Sequence, residues 1–249
     1  MKSTKKSVLV IGSSDRLGRA IALYLSECGY DIIIHYYKDE EGARKTLSMI
    51  ERNGKVASLI QGDITNSEGI NGIFSRLKTL ISTSSISPLT SIVNCASVFI
   101  DSSIDEVDEV RFDTDQAIHQ KAPFFLTKGL YRYSKEENIH TSIIHLSDAG
   151  IIHPGNRRPS YYIAKSALEV QIKILAVSVG PFVRVNGVAP GLIIANNESE
   201  RAYFLKRGGA VPLKRLSTIV DVASSVEFLI TNNSITGQII KVDSGESLL

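Results

Sequence analysis

No stretch of this chain comes near the roughly 18 uninterrupted apolar residues that read as a membrane-spanning helix, so a span of that kind is excluded. The apolar run behind Lys2, Lys5 and Lys6 is only Val8-Leu9-Val10-Ile11 and stops at Gly12, too short for a signal-peptide core. Cysteine is scarce. Cys28 and Cys95 make no framework of bridges and stand in no metal-ligand spacing, so no metal site is expected. A reducing compartment follows, and the expected location is cytoplasmic. Charge of one sign is also lacking: the formal net charge is +2, too small to call for a nucleic-acid or membrane surface. No repeat, low-complexity linker or block of like charge divides the 249 residues. At 43% apolar and 22% charged, the chain can bury an ordinary globular core.

What is present is alternation. Short β-branched runs occur at Val8–Ile11, Asp31–Tyr36, Val56–Ile60, Ser91–Asn94, Ser142–Leu146, Arg184–Val188 and Ile239–Val242. Several are apolar nearly throughout, as parallel strands covered on both faces are. Between them lie helix-period segments at Leu17–Cys28, Glu40–Asn53, Ser67–Thr83, Asp105–Gln120, Pro123–Glu137, Ser160–Val179 and Val220–Ile230. Strand and helix in turn predict an α/β fold, a doubly wound parallel sheet in a single Rossmann-like domain over residues 1–249. Ser82–Ser87 reads as a loop, and Leu192–Lys214 as an irregular stretch covering the carboxyl ends of the strands, where open sheets bind ligands.

The first strand runs into Gly12-Ser13-Ser14-Asp15-Arg16-Leu17-Gly18 and then a helix. A glycine at the strand exit permits the tight turn, and one opening the helix lets backbone approach a phosphate at the positive helix terminus. Two glycines in a strand-to-helix turn are weak evidence alone. The second strand ends in His35-Tyr36-Tyr37-Lys38 rather than in an acidic residue for an NAD ribose. Arg16 and Lys38 offer cations to a 2′-phosphate, which points to NADP, with Asp39 a counter-indication. Asp63, followed by Ile64, stands after the third strand where a carboxylate accepts from an adenine amino group. Asn94-Cys95-Ala96-Ser97 forms a small-residue turn after the fourth. Each of these is also an ordinary turn sequence.

Tyr161 and Lys165 are four apart at the start of a helical segment and share one face. An ammonium near a phenol lowers the phenol's pKa, so a depressed Tyr161 is expected, usable as an acid or base near neutral pH. As an isolated pair they would count for little. Behind a dinucleotide turn, and after the strand end Ser147-Asp148, they count for more.

Taken with Tyr161-Tyr162-Ile163-Ala164-Lys165, Val185-Asn186-Gly187-Val188-Ala189-Pro190-Gly191, Thr236-Gly237-Gln238 and Val242-Asp243, these motifs resemble the short-chain dehydrogenase/reductase family, collinearly from residue 7 to about 245. In that family the tyrosine donates the proton, the lysine lowers its pKa and binds the nicotinamide ribose, and a serine 13 residues before the tyrosine orients the substrate carbonyl. Here that position is Asp148, with Ser147 one residue earlier. Aspartate there, Arg16-Leu17-Gly18 in the turn, and Phe99 as a ring to stack on a pterin resemble the pteridine and dihydromonapterin reductases. The resemblance implies a cofactor site of Gly12, Arg16, Leu17, Gly18, Tyr37, Lys38, Asp63, Ile64, Asn94, Ala96, Ser97, Tyr161, Lys165, Pro190 and Gly191. It implies a substrate site of Ser97, Phe99, Asp148, Tyr161 and Leu192, catalysis by Asp148, Tyr161 and Lys165, and a homotetramer. Phe99 reads equally as a core phenylalanine. The chain departs from the family at His119, where a helix asparagine is usual, at Ala195 in place of a threonine, and at Ser244 in the terminal Asp-Gly-Gly pattern.

Chemistry separates the candidate reactions. An ionised carboxylate cannot donate to a carbonyl oxygen and repels the alkoxide it becomes. At about 4 Å and an effective dielectric near 20 the repulsion approaches about 4 kcal/mol, roughly a thousandfold in rate. Reduction of a C=N bond forms no alkoxide; its nitrogen takes a proton. The expected activity is therefore NADPH-dependent reduction of a dihydropteridine, with a pterin substrate of dihydrofolate, dihydromonapterin or dihydrobiopterin type. The alternatives are a carbonyl reductase acting on an acyl thioester, sugar or steroid through Ser147, and a dinucleotide sensor without turnover.

Overall fold

The computed structural model describes residues 6–83, 86–193 and 198–249, so Ala195 and part of the 82–87 loop lie outside the described residues. The β-branched runs form β1 (Ser7–Ile11), β2 (Asp31–Tyr36), β3 (Ala57–Gln61), β4 (Leu89–Asn94), β5 (Thr141–Leu146), β6 (Val183–Pro190) and β7 (Ile239–Val242). They make one sheet in the order β3-β2-β1-β4-β5-β6-β7, every neighbouring pair parallel. The helices are α1 (Arg16–Glu27), α2 (Glu40–Arg52), α3 (Ser67–Ser82), α4 (Glu109–Gln116), α5 (Ala122–Glu137), α6 (Pro159–Val179), α7 (Glu198–Ala210) and α8 (Ile219–Thr231).

Strand residues alternate between two cores because successive side chains leave opposite faces. Leu9 and Ile11 of β1 join Phe74, Leu126 and Ile172 on the side of α3, α5 and α6. Val8 and Val10 join Ile21, Ala43 and Val226 on the side of α1, α2 and α8. Both faces are covered, which is why β1, β2 and β5 are buried along their whole length. This is the doubly wound single domain expected from the alternation. The order reverses between β1 and β4, and their carboxyl ends open the crevice where the candidate site lies.

Two local expectations need correction. The 192–214 stretch is not irregular throughout, since α7 occupies Glu198–Ala210. Its sequence has little apolar periodicity and carries Gly208-Gly209 in its last turn; the helix end is tied by Arg207 to Glu246 at 2.6 Å. Nor do Asp105–Gln120 and Pro123–Glu137 form two separate helices. A 3-10 turn at Ile104–Glu106 precedes α4, and a π-helical turn at Ala117–Lys121 joins α4 to α5 without a break. Pro123 has no N–H for the carbonyl four residues back, and a widened turn absorbs the missing bond. His119 sits inside that turn.

Candidate active site

The glycine turn owes its shape to backbone contacts. Gly12 adopts φ +73°, and a Cβ there would lie 2.9 Å from the Cα of Ala96, in the turn after β4. At Gly18 a Cβ would fall 2.0 Å from the Gly12 carbonyl oxygen. The Cys95 N–H donates to Ile11 O at 3.0 Å and holds the two turns together. Asp15, the residue before α1, makes no side-chain cap, whereas Asp39, Asn66 and Thr218 each cap the helix they precede. The first N–H groups of α1 are thus left for an anion, and this backbone cradle fits a dinucleotide pyrophosphate.

Arg16 occupies the left-handed region at φ +49°, which explains why a glycine is usual there. The residue is exposed, as is Lys38, whose ammonium lies 5.1 Å from the centroid of the half-exposed Tyr37 ring. Among the described residues neither cation has a carboxylate partner. Asp39 does not compete for a phosphate, because its Oδ1 accepts the Gly42 N–H at 2.9 Å and caps α2. Asp63 is engaged locally, accepting from Thr65 N, Thr65 Oγ1 and Asn66 Nδ2, with Ile64 buried beside it. Asn94 donates to His145 Nδ1 at 3.4 Å, and its own Oδ1 is buried without a partner.

On the chemical side the structure brings together Asp148, Tyr161 and Lys165. The Tyr161 hydroxyl donates to Asp148 Oδ2 at 2.7 Å, while Oδ1 of the same carboxylate accepts the Gly150 N–H at 2.7 Å. Lys165 is buried one turn further along α6 and donates to Leu146 O at 2.6 Å. The expected depression of Tyr161 is not found. Burial, and then the Asp148 carboxylate, push its phenol well above the usual tyrosine range, with only Arg158 opposing. The Lys165 ammonium lies 5.8 Å from the ring centroid and is bonded elsewhere. Burial brings Lys165 itself down to about 8.

Rings surround the tyrosine. Phe99 and His119 each meet it edge-on with centroids 5.0 Å apart. His119 is buried, bonds Val98 O through Nε2 at 3.1 Å, and leaves Nδ1 without a partner. Phe99 is about half exposed rather than a core residue. One of its faces is covered by the Arg158 guanidinium at 4.0 Å, so a ring stacking on that face has to displace the arginine. Ser97 is exposed, Pro190 is buried at the end of β6, and Gly191 packs against Asp243 with Leu192 next to it.

Several contacts and backbone conformations were not anticipated from sequence. Ser147 points away from Asp148 and donates to Glu169 Oε1 at 2.9 Å. Asp115, fully buried, accepts from Ser160 Oγ at 2.5 Å and from Arg111 at 3.0 Å, anchoring the turn of α6 that carries Tyr161 to α4. Asp101 pairs with both Arg157 at 3.1 Å and Arg158 at 3.2 Å, joining the loop after Phe99 to the start of α6. Arg158 takes φ +63°, a signal that no sequence pattern carries. Ser244 likewise adopts a left-handed φ of +57° where the resembling family has glycine. Among the described residues no group of His, Cys, Asp or Glu side chains could hold a metal ion.

A family model described as enoyl-(acyl carrier protein) reductase matches residues 12–247. The short chain dehydrogenase mdpC of Emericella nidulans is 30% identical over 258 residues, covering 96% of this chain and 94% of that one. Among solved structures, FolM alternative dihydrofolate reductase 1 of Brucella suis, crystallised in complex with NADP, matches with a TM-score of 0.87 at 26% identity. It covers 99% of this chain and 96% of that one. The promiscuous reductase LugOII, which catalyses keto-reduction at C1 during lugdunomycin biosynthesis, matches at a TM-score of 0.87 and 27% identity over 100% of both chains.

Proposed function

The chain belongs to the short-chain dehydrogenase/reductase family, and on that premise we propose that it is an NADPH-dependent reductase of a dihydropteridine, acting on a C=N bond. The observation that carries this reading is the Asp148 carboxylate, which accepts the Tyr161 hydroxyl at 2.7 Å. The resembling family has a neutral serine at that position. NADPH supplies a hydride to the carbon of the C=N bond when bound. The chain's own part is the proton that the nitrogen must gain. Tyr161 holds it on Oη against Asp148, and the Gly150 N–H fixes the other carboxylate oxygen, so the phenol is fixed in place and its proton would turn from the carboxylate to the nitrogen on transfer. Lys165 sets a positive charge behind the pair. Arg16 and Lys38 would take the 2′-phosphate, and Phe99 would face the pterin ring.

The likeness to a dihydrofolate reductase in complex with NADP supports this reading. Carbonyl reduction is the second reading and draws on the likeness to a keto-reductase. It ranks below the first because Ser147, its required donor, is bonded to Glu169. The exposed apolar residues Ile163, Val170, Ile174 and Val177 on α6 favour assembly with copies of the chain, in keeping with a homotetramer. Free Cys28 and Cys95 accord with the reducing, cytoplasmic location proposed for the chain. No helix among the described residues is long and apolar enough to cross a membrane. The test is NADPH oxidation measured in parallel against dihydrobiopterin, dihydromonapterin, dihydrofolate and an acetoacetyl thioester. Turnover of the thioester alone would overturn the pterin reading.

A further inference from the structure

His35 is a buried polar residue in β2, beyond three consecutive isoleucines, and the chemistry described so far makes no use of it. Its ring is bonded at both nitrogens. Nε2 lies 3.2 Å from Gly62 O, and a carbonyl oxygen can only accept, so Nε2 carries the proton. Nδ1 is therefore bare and accepts the Gly12 N–H at 3.2 Å. Burial brings this imidazole down to about 4, against the opposing pulls of the Gly62 carbonyl bond and then Asp63, and keeps it a neutral acceptor under ordinary conditions. Ser13 laces the same two strand ends: its N–H donates to His35 O at 3.0 Å and its Oγ accepts the His35 N–H at 3.2 Å.

We propose that His35 is the positioning residue of the cofactor turn, one imidazole holding the first glycine of the turn after β1 while braced on the turn after β3. Gly12 begins the phosphate-facing backbone, and Gly62 precedes Asp63 on the adenine side. The two ends of the dinucleotide cradle therefore stand at a set spacing through a single side chain. The Gly12 N–H is satisfied by the ring, not by the ligand, and the remaining N–H groups of the turn are aimed by that bond. Because Gly12 and Gly62 occupy both ring nitrogens, His35 has none left for a 2′-phosphate and should govern affinity for NADPH and NADH alike, whereas Arg16 and Lys38 would govern their ratio. The inference rests on the reading that these turns hold the cofactor.

The test uses the full-length chain with His35→Gln and His35→Asn, measuring dissociation constants for NADPH and NADH and a melting curve for each protein. The asparagine Oδ1 stands near the place of Nδ1 and can still accept from Gly12, while glutamine reaches toward Gly62 and leaves Gly12 unbonded. His35→Gln is expected to weaken both cofactors by about 5–20-fold, the value of one lost buried hydrogen bond. His35→Asn should stay within about threefold of the unmutated protein. An unchanged affinity in His35→Gln, a loss confined to NADPH, or a His35→Asn no better than His35→Gln would each overturn the role. If His35→Gln does not fold, His35→Asn decides alone, and a loss of about tenfold with an intact melting transition overturns it. Absence of binding of either dinucleotide to the unmutated protein would remove the cofactor reading, and this inference with it.

Discussion

Ser147 Oγ donates to Glu169 Oε1 at 2.9 Å, one turn beyond Lys165 on α6, while Asp148 next to it accepts the Tyr161 hydroxyl. Residues 147 and 148 follow the end of β5, and alternation along an extended chain sends their side chains opposite ways. Asp148 therefore reaches the phenol, and Ser147 serves the packing of α6. Ser147→Ala is expected to cost about 1 kcal/mol of stability, the worth of one hydrogen bond. It should leave turnover with the best substrate within about twofold, since general acid–base groups are worth about a hundredfold or more. Denaturant melts and steady-state rates check both halves. A hundredfold fall in rate would return the serine role to this residue.

The alkaline side of the pH profile should report Lys165. Burial brings its ammonium down to about 8, and Tyr161 is pushed far the other way by burial and Asp148. The lysine is thus the first of the pair to change as pH rises, losing its charge above about 8. kcat/KM for reduction is expected to fall as pH climbs through that value. Lys165→Arg, which keeps its charge at every accessible pH, should lose that limb if it retains activity. A profile flat up to about pH 10, near the ordinary lysine range, would show that the charge of Lys165 is not required.

Arg16 combines strain with the proposed 2′-phosphate contact. A non-glycine residue in the left-handed region costs about 1–2 kcal/mol, and Arg16 stands there at φ +49°. Arg16→Gly is expected to raise stability by about 1 kcal/mol and to weaken NADPH relative to NADH. Lys38→Ala should change the ratio in the same direction without the gain in stability. A charge-assisted phosphate contact is worth roughly 1.5–3 kcal/mol, about tenfold or more in the ratio of dissociation constants. Calorimetry with both cofactors measures it, and equal affinities in the unmutated protein would remove both residues from the 2′-phosphate site.

The seven strands were legible because each is a short β-branched run, and parallel strands covered on both faces leave that mark at every position. Tyr161, Lys165 and Asp148 were legible because their spacing along the chain is itself the motif. What escaped was whatever depends on partners distant in sequence. His35 reads as one polar residue ending an apolar strand until Gly12 and Gly62 are brought to its two nitrogens. Glu169 and Asp115 look like surface charges on helices until Ser147 and Ser160 face them. Helix α7 was hidden for another reason: its register follows no apolar stripe, and its end is tied by an ion pair from Arg207 to Glu246. The lowered tyrosine expected from Tyr161 and Lys165 failed because burial and the Asp148 carboxylate raise the phenol, while the ammonium turns to Leu146 O.

Three buried histidines should make the protein lose stability early in acid. Burial lowers His35 to about 4, and His119 and His145 to about 3, from an ordinary value near 6.5. Below 6.5 the unfolded chain binds protons that the folded chain refuses, so stability falls with pH from there down to the folded values. Between pH 7 and 5 each ring contributes a loss of about 2 kcal/mol. Urea melts at the two pH values measure the sum, and His145→Asn should flatten the slope by about one proton's worth. Equal midpoints at pH 7 and 5 would mean that these rings take up protons in the folded state.

On the proposed function Asp148 would decide the substrate class, and its replacement is the sharpest test of that proposal. Its carboxylate holds the Tyr161 proton at 2.7 Å and is itself held by the Gly150 N–H at 2.7 Å. In Asp148→Ser the hydroxyl is shorter and neutral, so the aimed proton donor is lost and the repulsion of a developing alkoxide goes with it. Dihydropterin reduction is expected to fall by about 10²–10⁴-fold, the usual worth of a positioned acid–base group. NADPH binding should be nearly unchanged, because the cradle lies on the other turns. Weak reduction of a ketone or an acetoacetyl thioester should appear, limited by Phe99 and the Arg158 guanidinium over it, which the substitution leaves in place. The loss is the stricter half, since it needs only the removal of a group that acts in the transition state. Pterin turnover unchanged in a folded, NADPH-binding Asp148→Ser would refute the role given to this carboxylate. Vigorous ketone reduction by the unmutated protein would do more: it would show that a carboxylate beside the phenol does not bar an alkoxide, and the carbonyl-reductase reading would then stand in its place.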